Sequence, residues 1–274
     1  MKIVGICRFS YPALGGFKRM HDSVAEREAY LYAADRMELR FRHFEALTLP
    51  SIRAQKEQRF TFLVLVGDSL PKMYRDRLHD ITADIPQIKI IAREPMKHRT
   101  AMQIAIKEEL GEDKEESIQF RLDDDDAVSL QFIRSARWFA RHTGPMRKNW
   151  KNIAFEFSKG YSVMLSKDGI LAEEVQSSFW ACGLAVLFRP GDRKTVMNYA
   201  HHKLHTHMPT MINPHPHMYL RAKHDDNDSA ANYKSGTFKP LTDAQRALFQ
   251  QSFNVDEAHV KQLFSRPIAP LGTA

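Results

Sequence analysis

Short continuous apolar runs alternate with longer stretches of helical periodicity through the first half of the chain. The runs are KIVGIC (2–7), FTFLVLV (60–66), IKIIA (88–92) and SIQFRL (117–122). They lack the in-and-out alternation of a half-exposed strand and predict strands covered on both faces. Helix-patterned crossovers between them predict βαβ units and a parallel sheet. Residues 23–55 have helical composition, with Leu39, Phe44, Leu47 and Ile52 on the buried side and Pro50 expected to break or kink the helix. Pro71 opens a crossover helix over 72–82, and 97–110 supplies the next, burying Ala101, Ile104, Ala105 and Leu110. A helix is predicted over 127–142, with Val128, Phe132, Ala136 and Phe139 on one face, starting directly after four consecutive aspartates.

Beyond residue 150 the rhythm changes. NIAFEFSKGYSVMLSKDGI reads as two short strands joined at Lys159-Gly160 in a hairpin, and CGLAVLFRPGD as a buried strand ending in a Pro-Gly turn. A His-rich segment follows at 201–224, then a polar stretch, then two short helices at 243–252 and 256–264. With no internal repeat or low-complexity linker, the expectation is one α/β domain. It has a nucleotide-binding half (1–126), a mixed half that completes the site (127–235) and a helical tail (236–274), with helices on both faces of a mostly parallel central sheet.

The 274 residues, 43% hydrophobic and 27% charged, are globular material. Forty Lys+Arg against 33 Asp+Glu give a net charge of +7, which favours an anionic neighbour: nucleic acid, a membrane surface, or ligand phosphates. Two cysteines, Cys7 and Cys182, are too few for a disulfide framework and point to a reducing, cytoplasmic compartment. The opening MKIVGIC is too short for a secretory signal, and the longest apolar run, 179–188, is half of the roughly 20 residues a membrane helix needs.

The most informative stretch is Arg121-Leu122-Asp123-Asp124-Asp125-Asp126-Ala127. Four adjacent carboxylates at the end of a buried strand call for a cation, and oxygen-only ligands favour Mg²⁺ or Mn²⁺. On an extended chain Asp123 and Asp125 point the same way, toward one ion, and Asp124 faces away. If the strand order is 3-2-1-4, the cluster lies beside Arg8, Phe9 and Ser10 at the end of the first strand, where open parallel sheets bind ligands. The bland alternative is an acidic loop capping the next helix.

These motifs, together with RFSYP (8–12), LPSIRAQ (49–55), FTFLVLVGDSLP (60–71) and YLRAKHDDNDS (219–229), resemble the bacterial rhamnosyltransferase family, a branch of the GT-A nucleotide-sugar glycosyltransferases. The resemblance covers roughly residues 1–230. It implies a GT-A, Rossmann-like fold with a DxD-type motif at Asp123 and Asp125, Asp126 adjacent. Such a motif contacts the donor ribose and, through a divalent metal, its diphosphate. A C-terminal histidine often adds a contact, and His224 matches it, with Asp225 and Asp226 as neighbours. Arg8 and Ser10 would touch the nucleotide, Asp68 its base, and Arg99 a phosphate or the base; Arg121, which opens the signature, is counted with the donor contacts. An inverting enzyme also needs a carboxylate to take the acceptor's proton. Asp126 and Glu156 are the candidates, with Glu173 and Glu174 as alternatives.

The remaining signals are weaker. His201 and His205 have helical zinc-ligand spacing, but no Cys or Glu accompanies them and prolines interrupt the segment, so surface or acceptor-groove histidines are expected. Arg134, Arg137, Arg141, Arg147, Lys148 and Lys151, with Trp138 and Trp150 interleaved, form a basic run without an acid. It reads as a solvated helix face or as a surface for an anionic acceptor or the inner membrane leaflet, without a nucleic-acid-binding module. Trp180 and Phe179 are core residues or a sugar-stacking platform. The expected partners are a nucleotide-sugar donor and a saccharide or lipid-linked acceptor. The rivals are a metal-dependent phosphoryl-transfer enzyme using the same carboxylates, and a basic nucleic-acid-binding protein.

Overall fold

The computed structural model describes residues 1–15, 21–112, 115–224 and 237–268. The first four apolar runs form the strands β1 (Lys2–Arg8), β2 (Thr61–Gly67), β3 (Ile88–Arg93) and β4 (Ser117–Arg121). Lys2 to Arg121 also supply the helices α1 (Val24–Leu31), α2 (Ala34–His43), α3 (Leu49–Arg53), α4 (Lys72–Thr82) and α5 (His98–Leu110). Then follow β5 (Asp126–Val128), α6 (Phe132–His142), α7 (Gly144–Asn149), β6 (Asn152–Phe157), β7 (Lys159–Ser166), β8 (Gly169–Gln176), β9 (Leu184–Phe188), β10 (Thr210–Asn213), β11 (Tyr219–Ala222) and β12 (Lys239–Pro240). The helices α8 (Asp243–Phe253) and α9 (Glu257–Ser265) complete the order.

Among the described residues the main sheet has seven strands in the order β10-β6-β9-β4-β1-β2-β3, so the expected 3-2-1-4 order holds. Every pairing is parallel except the two made by β9, which runs antiparallel between β4 and β6. Apolar side chains of β1, β2 and β4 are buried on both faces. One layer holds Ile3, Phe62, Val64, Phe120 and Phe132; the other holds Val4, Ile6, Leu63, Leu65 and Ala101 from α5. A second sheet, β12-β8-β7-β11-β5, is mixed and packs against α8 and α9 through Tyr161, Ile170, Leu220, Phe249 and Phe253. The result is an α/β architecture, as the sequence predicts: a mostly parallel sheet followed by a mixed half. No helix among the described residues is long and apolar enough to cross a membrane.

Several local expectations are corrected. Pro50 does not break the helix: α2 runs through a π-helical turn, Phe44–Thr48, into α3. In that turn the Leu49 N–H bonds the Phe44 carbonyl five residues back, and the wider register accommodates a proline ring that would collide with a carbonyl four residues back. Phe44, Leu47 and Ile52 are buried as expected, whereas Leu39 is only half-buried, as are Ile104, Leu110 and Phe139. The helix after the aspartates starts at Phe132, because Asp126–Val128 is a strand paired with β11. The acidic cluster therefore does not cap that helix. Lys159-Gly160 is no hairpin turn but the start of β7; the hairpin is β7–β8, with Ser166 opposite Gly169 around Lys167-Asp168. Asp-Gly was the turn signal, and β6 and β7 belong to different sheets.

Candidate active site

The aspartates sit where β4 leaves the main sheet and the chain crosses to the second. Leu122 N–H bonds the Ile6 carbonyl at 3.1 Å, and Asp126 N–H bonds the Asp123 carbonyl at 3.2 Å, closing a tight turn. The carboxylates are thus arrayed on a turn and not on the extended chain that the alternation argument assumed. Thr48 and the LPSIRAQ segment that follows it support the turn from behind. Thr48 Oγ1 donates to the Asp126 carbonyl (2.8 Å), Val128 N–H to Ser51 Oγ (3.4 Å), and Gln55 Nε2 to the Ser129 carbonyl (2.9 Å). These buried polar side chains pair with backbone groups that would otherwise be orphaned between the two sheets.

A cavity of about 290 Å³ opens in front of the turn. Its walls are Arg8, Ser10 and Tyr11 after β1, Arg36 and Arg40 from α2, all four aspartates, Trp180 to Cys182, His201, and Arg221 and Ala222 from β11. Asp123, Asp125 and Asp126 present carboxylate oxygens within 4.8 Å of one another, a group able to hold a metal ion. Asp124 turns aside: its Oδ1 accepts from Arg40 Nη1 at 2.8 Å, and that nitrogen also reaches Asp125 Oδ2 at 3.3 Å. Asp126 Oδ1 accepts the Ala222 N–H at 3.0 Å. His224 Nε2 donates to Asp125 Oδ2 at 2.8 Å, joining two residues 99 apart in the chain. Asp225 and Asp226 lie outside the described residues.

Burial sets the electrostatics. It pushes the Asp124 carboxyl up to about 6, against the pull of Arg40 and with the push of Asp125 and Asp123. Asp126 rises well above the carboxylate range, from burial first and then its aspartate neighbours. Asp125 goes the other way: burial opposes its charge, but the His224 hydrogen bond and the Arg40 guanidinium hold it below the usual range. The His43 ring packs at a tilt against His224, centroids 4.5 Å apart, and burial and His224 depress it to about 4. Its Nδ1 meets the Leu39 carbonyl at 2.9 Å. Arg36, Arg40 and His43 are four and three apart, so α2 carries one stripe toward the acidic turn.

The structure thus brings Arg8, Ser10, Asp123, Asp125, Asp126 and His224 together. Other expected contacts lie elsewhere. Asp68 and Arg99 are exposed and Arg121 is half-buried, and none of the three lines the cavity. Glu156, expected to face an acceptor, is 1% exposed behind the wall, its carboxylate accepting the Phe179 N–H. Of the alternatives, Glu174 pairs with Lys159 and His217, and Glu173 lies on β8 of the second sheet. His201 bonds the Phe179 carbonyl and the His205 ring packs at a tilt against Phe179, an arrangement unlike a zinc pair. Tyr11, Arg36, Arg40, His43 and Arg221 were missed, with only the helical spacing of the α2 residues visible in sequence; Trp180, read as core or as a sugar platform, lines the cavity.

No curated protein matches the chain. Among solved structures, S. aureus TarS 1-349 is 10% identical with a TM-score of 0.44, covering 81% of this chain and 60% of that one. TarS 1-349 in complex with UDP-GlcNAc is 11% identical with a TM-score of 0.47, covering 97% and 71%. The chain thus spans about 60% of the length of the first of these structures. The family model described as "Putative rhamnosyl transferase" matches residues 2–235, and the chain belongs to that rhamnosyl transferase family.

Proposed function

We propose that the protein is a divalent-metal-dependent glycosyltransferase that moves a sugar from a nucleoside diphosphate donor to a saccharide or lipid-linked acceptor. The family description supports rhamnose as the sugar. One observation carries the reading: three aspartate carboxylates converge within 4.8 Å in a cavity at the carboxyl ends of parallel strands, with His224 on Asp125.

The donor set fits a hard cation, because it is three carboxylates with one imidazole at its edge. Asp123, Asp125 and His224 would hold Mn²⁺ or Mg²⁺, which when bound supplies Lewis-acid stabilisation to the departing diphosphate. Arg40 holds Asp124 and Asp125 in place. Arg8 and Ser10, at the end of β1, face the nucleotide. Bond cleavage puts negative charge on the leaving phosphate and positive character on the sugar ring, so a cationic wall opposite carboxylates suits both ends. Of the two carboxylates expected to take the acceptor's proton, Asp126 lines the cavity and is assigned that role. The expected cytoplasmic setting, at the inner leaflet for a lipid-linked acceptor, belongs to this reading.

Thermal shift with UDP-, GDP- and dTDP-sugars, with and without Mn²⁺, tests it. Stabilisation by one nucleotide class, dependent on Mn²⁺ and abolished by Asp125→Ala, is expected. No response to any nucleotide sugar, together with phosphodiester hydrolysis or salt-sensitive RNA binding, would replace the reading with one of its rivals.

A further inference from the structure

Glu156 lies within the main sheet, opposite Leu184 of β9 and Ile212 of β10. Its carboxyl is 1% exposed, and burial raises its pKa. Among the described residues no Lys or Arg forms an ion pair with it, and its Oε2 has no partner. A carboxyl group is costly to keep in such a place without a function. Its hydrogen bonds are with the loop after β8: Oε1 accepts the Phe179 N–H, and the Ser178 side chain also bonds the carboxyl.

Phe179 has φ +62°, a left-handed conformation that costs a non-glycine residue about 1 kcal/mol or more. It is gripped at three points: Glu156 on its N–H, the His201 ring on its carbonyl, and the His205 ring 4.7 Å from its own. The turn that this enforces delivers the next residue, Trp180, into the cavity wall. Gly183 N–H then bonds the Trp180 carbonyl at 3.1 Å, and a Cβ on Gly183 would sit 2.4 Å from the Phe157 carbonyl oxygen, so the loop is pressed onto the strand. The Arg221 guanidinium lies 4.5 Å from the centre of the indole and steadies its orientation.

We infer that Trp180 is the wall of a sugar-binding subsite, taking the apolar face of a pyranose, and that Glu156 is the positioning residue that builds it through Phe179. The inference rests on the glycosyl-transfer reading. A flat, half-buried aromatic across a polar cavity from an acidic turn offers what a sugar ring needs: apolar surface for its C–H face and polar groups around its hydroxyls. It also accounts for a carboxyl that faces the loop and not the cavity. Glu156 takes no proton in this scheme; a neutral amide in its place can accept the same N–H.

The test uses the full chain with Trp138 and Trp150 replaced by Phe, leaving Trp180 as the sole fluorophore among three tryptophans. It is titrated, with Mn²⁺ present, with bare UDP, GDP and dTDP, with their hexose conjugates, and with methyl glycosides. Sugar-bearing ligands are expected to shift Trp180 emission where bare nucleotides do not; response to conjugates assigns the donor sugar, and response to methyl glycosides the acceptor sugar. Glu156→Ala should red-shift Trp180 in the ligand-free protein and weaken the sugar response about tenfold, while Glu156→Gln restores it to within about threefold. Nucleotide-induced thermal stabilisation should persist in both. Trp180 emission indifferent to every sugar in a protein that binds nucleotide overturns the subsite. An unchanged Glu156→Ala, or a Gln variant as deficient as Ala, overturns the clamp. If the parent protein binds no nucleotide, the glycosyl-transfer reading fails on its own, and the ligand-free emission of the two Glu156 variants still decides the clamp.

Discussion

Two runs of like charge lie close together in this chain and end in opposite environments. In the turn 123–126, Asp123 is exposed, but Asp124, Asp125 and Asp126 are only 4%, 6% and 3% exposed. In the segment 134–151, Arg134, Arg141, Lys148 and Lys151 are exposed, beside Trp138 and Trp150 at 55% and 50%. The buried run is held by specific partners: Arg40, His224, the Ala222 N–H and the Thr48 hydroxyl. The exposed run has two anchored members, Arg137 with Glu57 and Arg147 with Glu116, and the rest meet water. Charge that the fold removes from water must be paired, and its geometry becomes specific; charge left in water needs no partner.

Arg40→Ala is the severest way to break this contrast. It leaves Asp124 and Asp125 buried beside each other without their shared guanidinium, and a loss of about 3–5 kcal/mol is expected in urea unfolding. Thr48→Val removes a hydroxyl from the Asp126 carbonyl and keeps the shape; about 1–3 kcal/mol should be lost, with a weaker Mn²⁺ response because the turn loosens. His98 is half-buried, and burial together with Arg8, Arg99 and Arg121 depresses it to about 4. The unfolded chain therefore binds a proton near 6.5 that the folded chain refuses, so stability is present above pH 6.5 and declines toward pH 4. His98→Gln should flatten that decline in melts recorded across the window. Arg134→Gln with Lys148→Gln should move the unfolding midpoint by no more than about 0.5 kcal/mol. A loss as large as that of Arg40→Ala would show that the exposed run is structurally engaged, and the contrast would fail.

Legibility followed the range of the signal. The first four strands and the crossover helices were readable because burial on both faces writes a continuous apolar run into β1, β2 and β4; β3 has a similar run but lies at the sheet edge with no residue fully buried, contrary to the expectation of a covered strand. The acidic turn was readable because four aspartates are hard to explain otherwise, and His224 because it lies in a motif of the family. The second sheet was obscured: β6 and β7 are separated by Ser158 alone yet belong to different sheets, and local pattern reports strand character without naming the partner. Glu156 was readable as a strand carboxylate, but its direction depends on the loop packed over it. Asp68 and Arg99, placed by position alone, stay outside the cavity.

The sequence alone determined the α/β class, the first four strands and the place of the carboxylates at the end of the fourth, since periodicity and composition act locally and sum over short segments. Only the tertiary structure decided which charges lose their water, that α2 delivers Arg36 and Arg40 to the turn, and that Phe179 is twisted to present Trp180. Those outcomes depend on surfaces brought together from distant parts of the chain, such as Asp125 and His224, 99 residues apart, and no local pattern encodes such a distance.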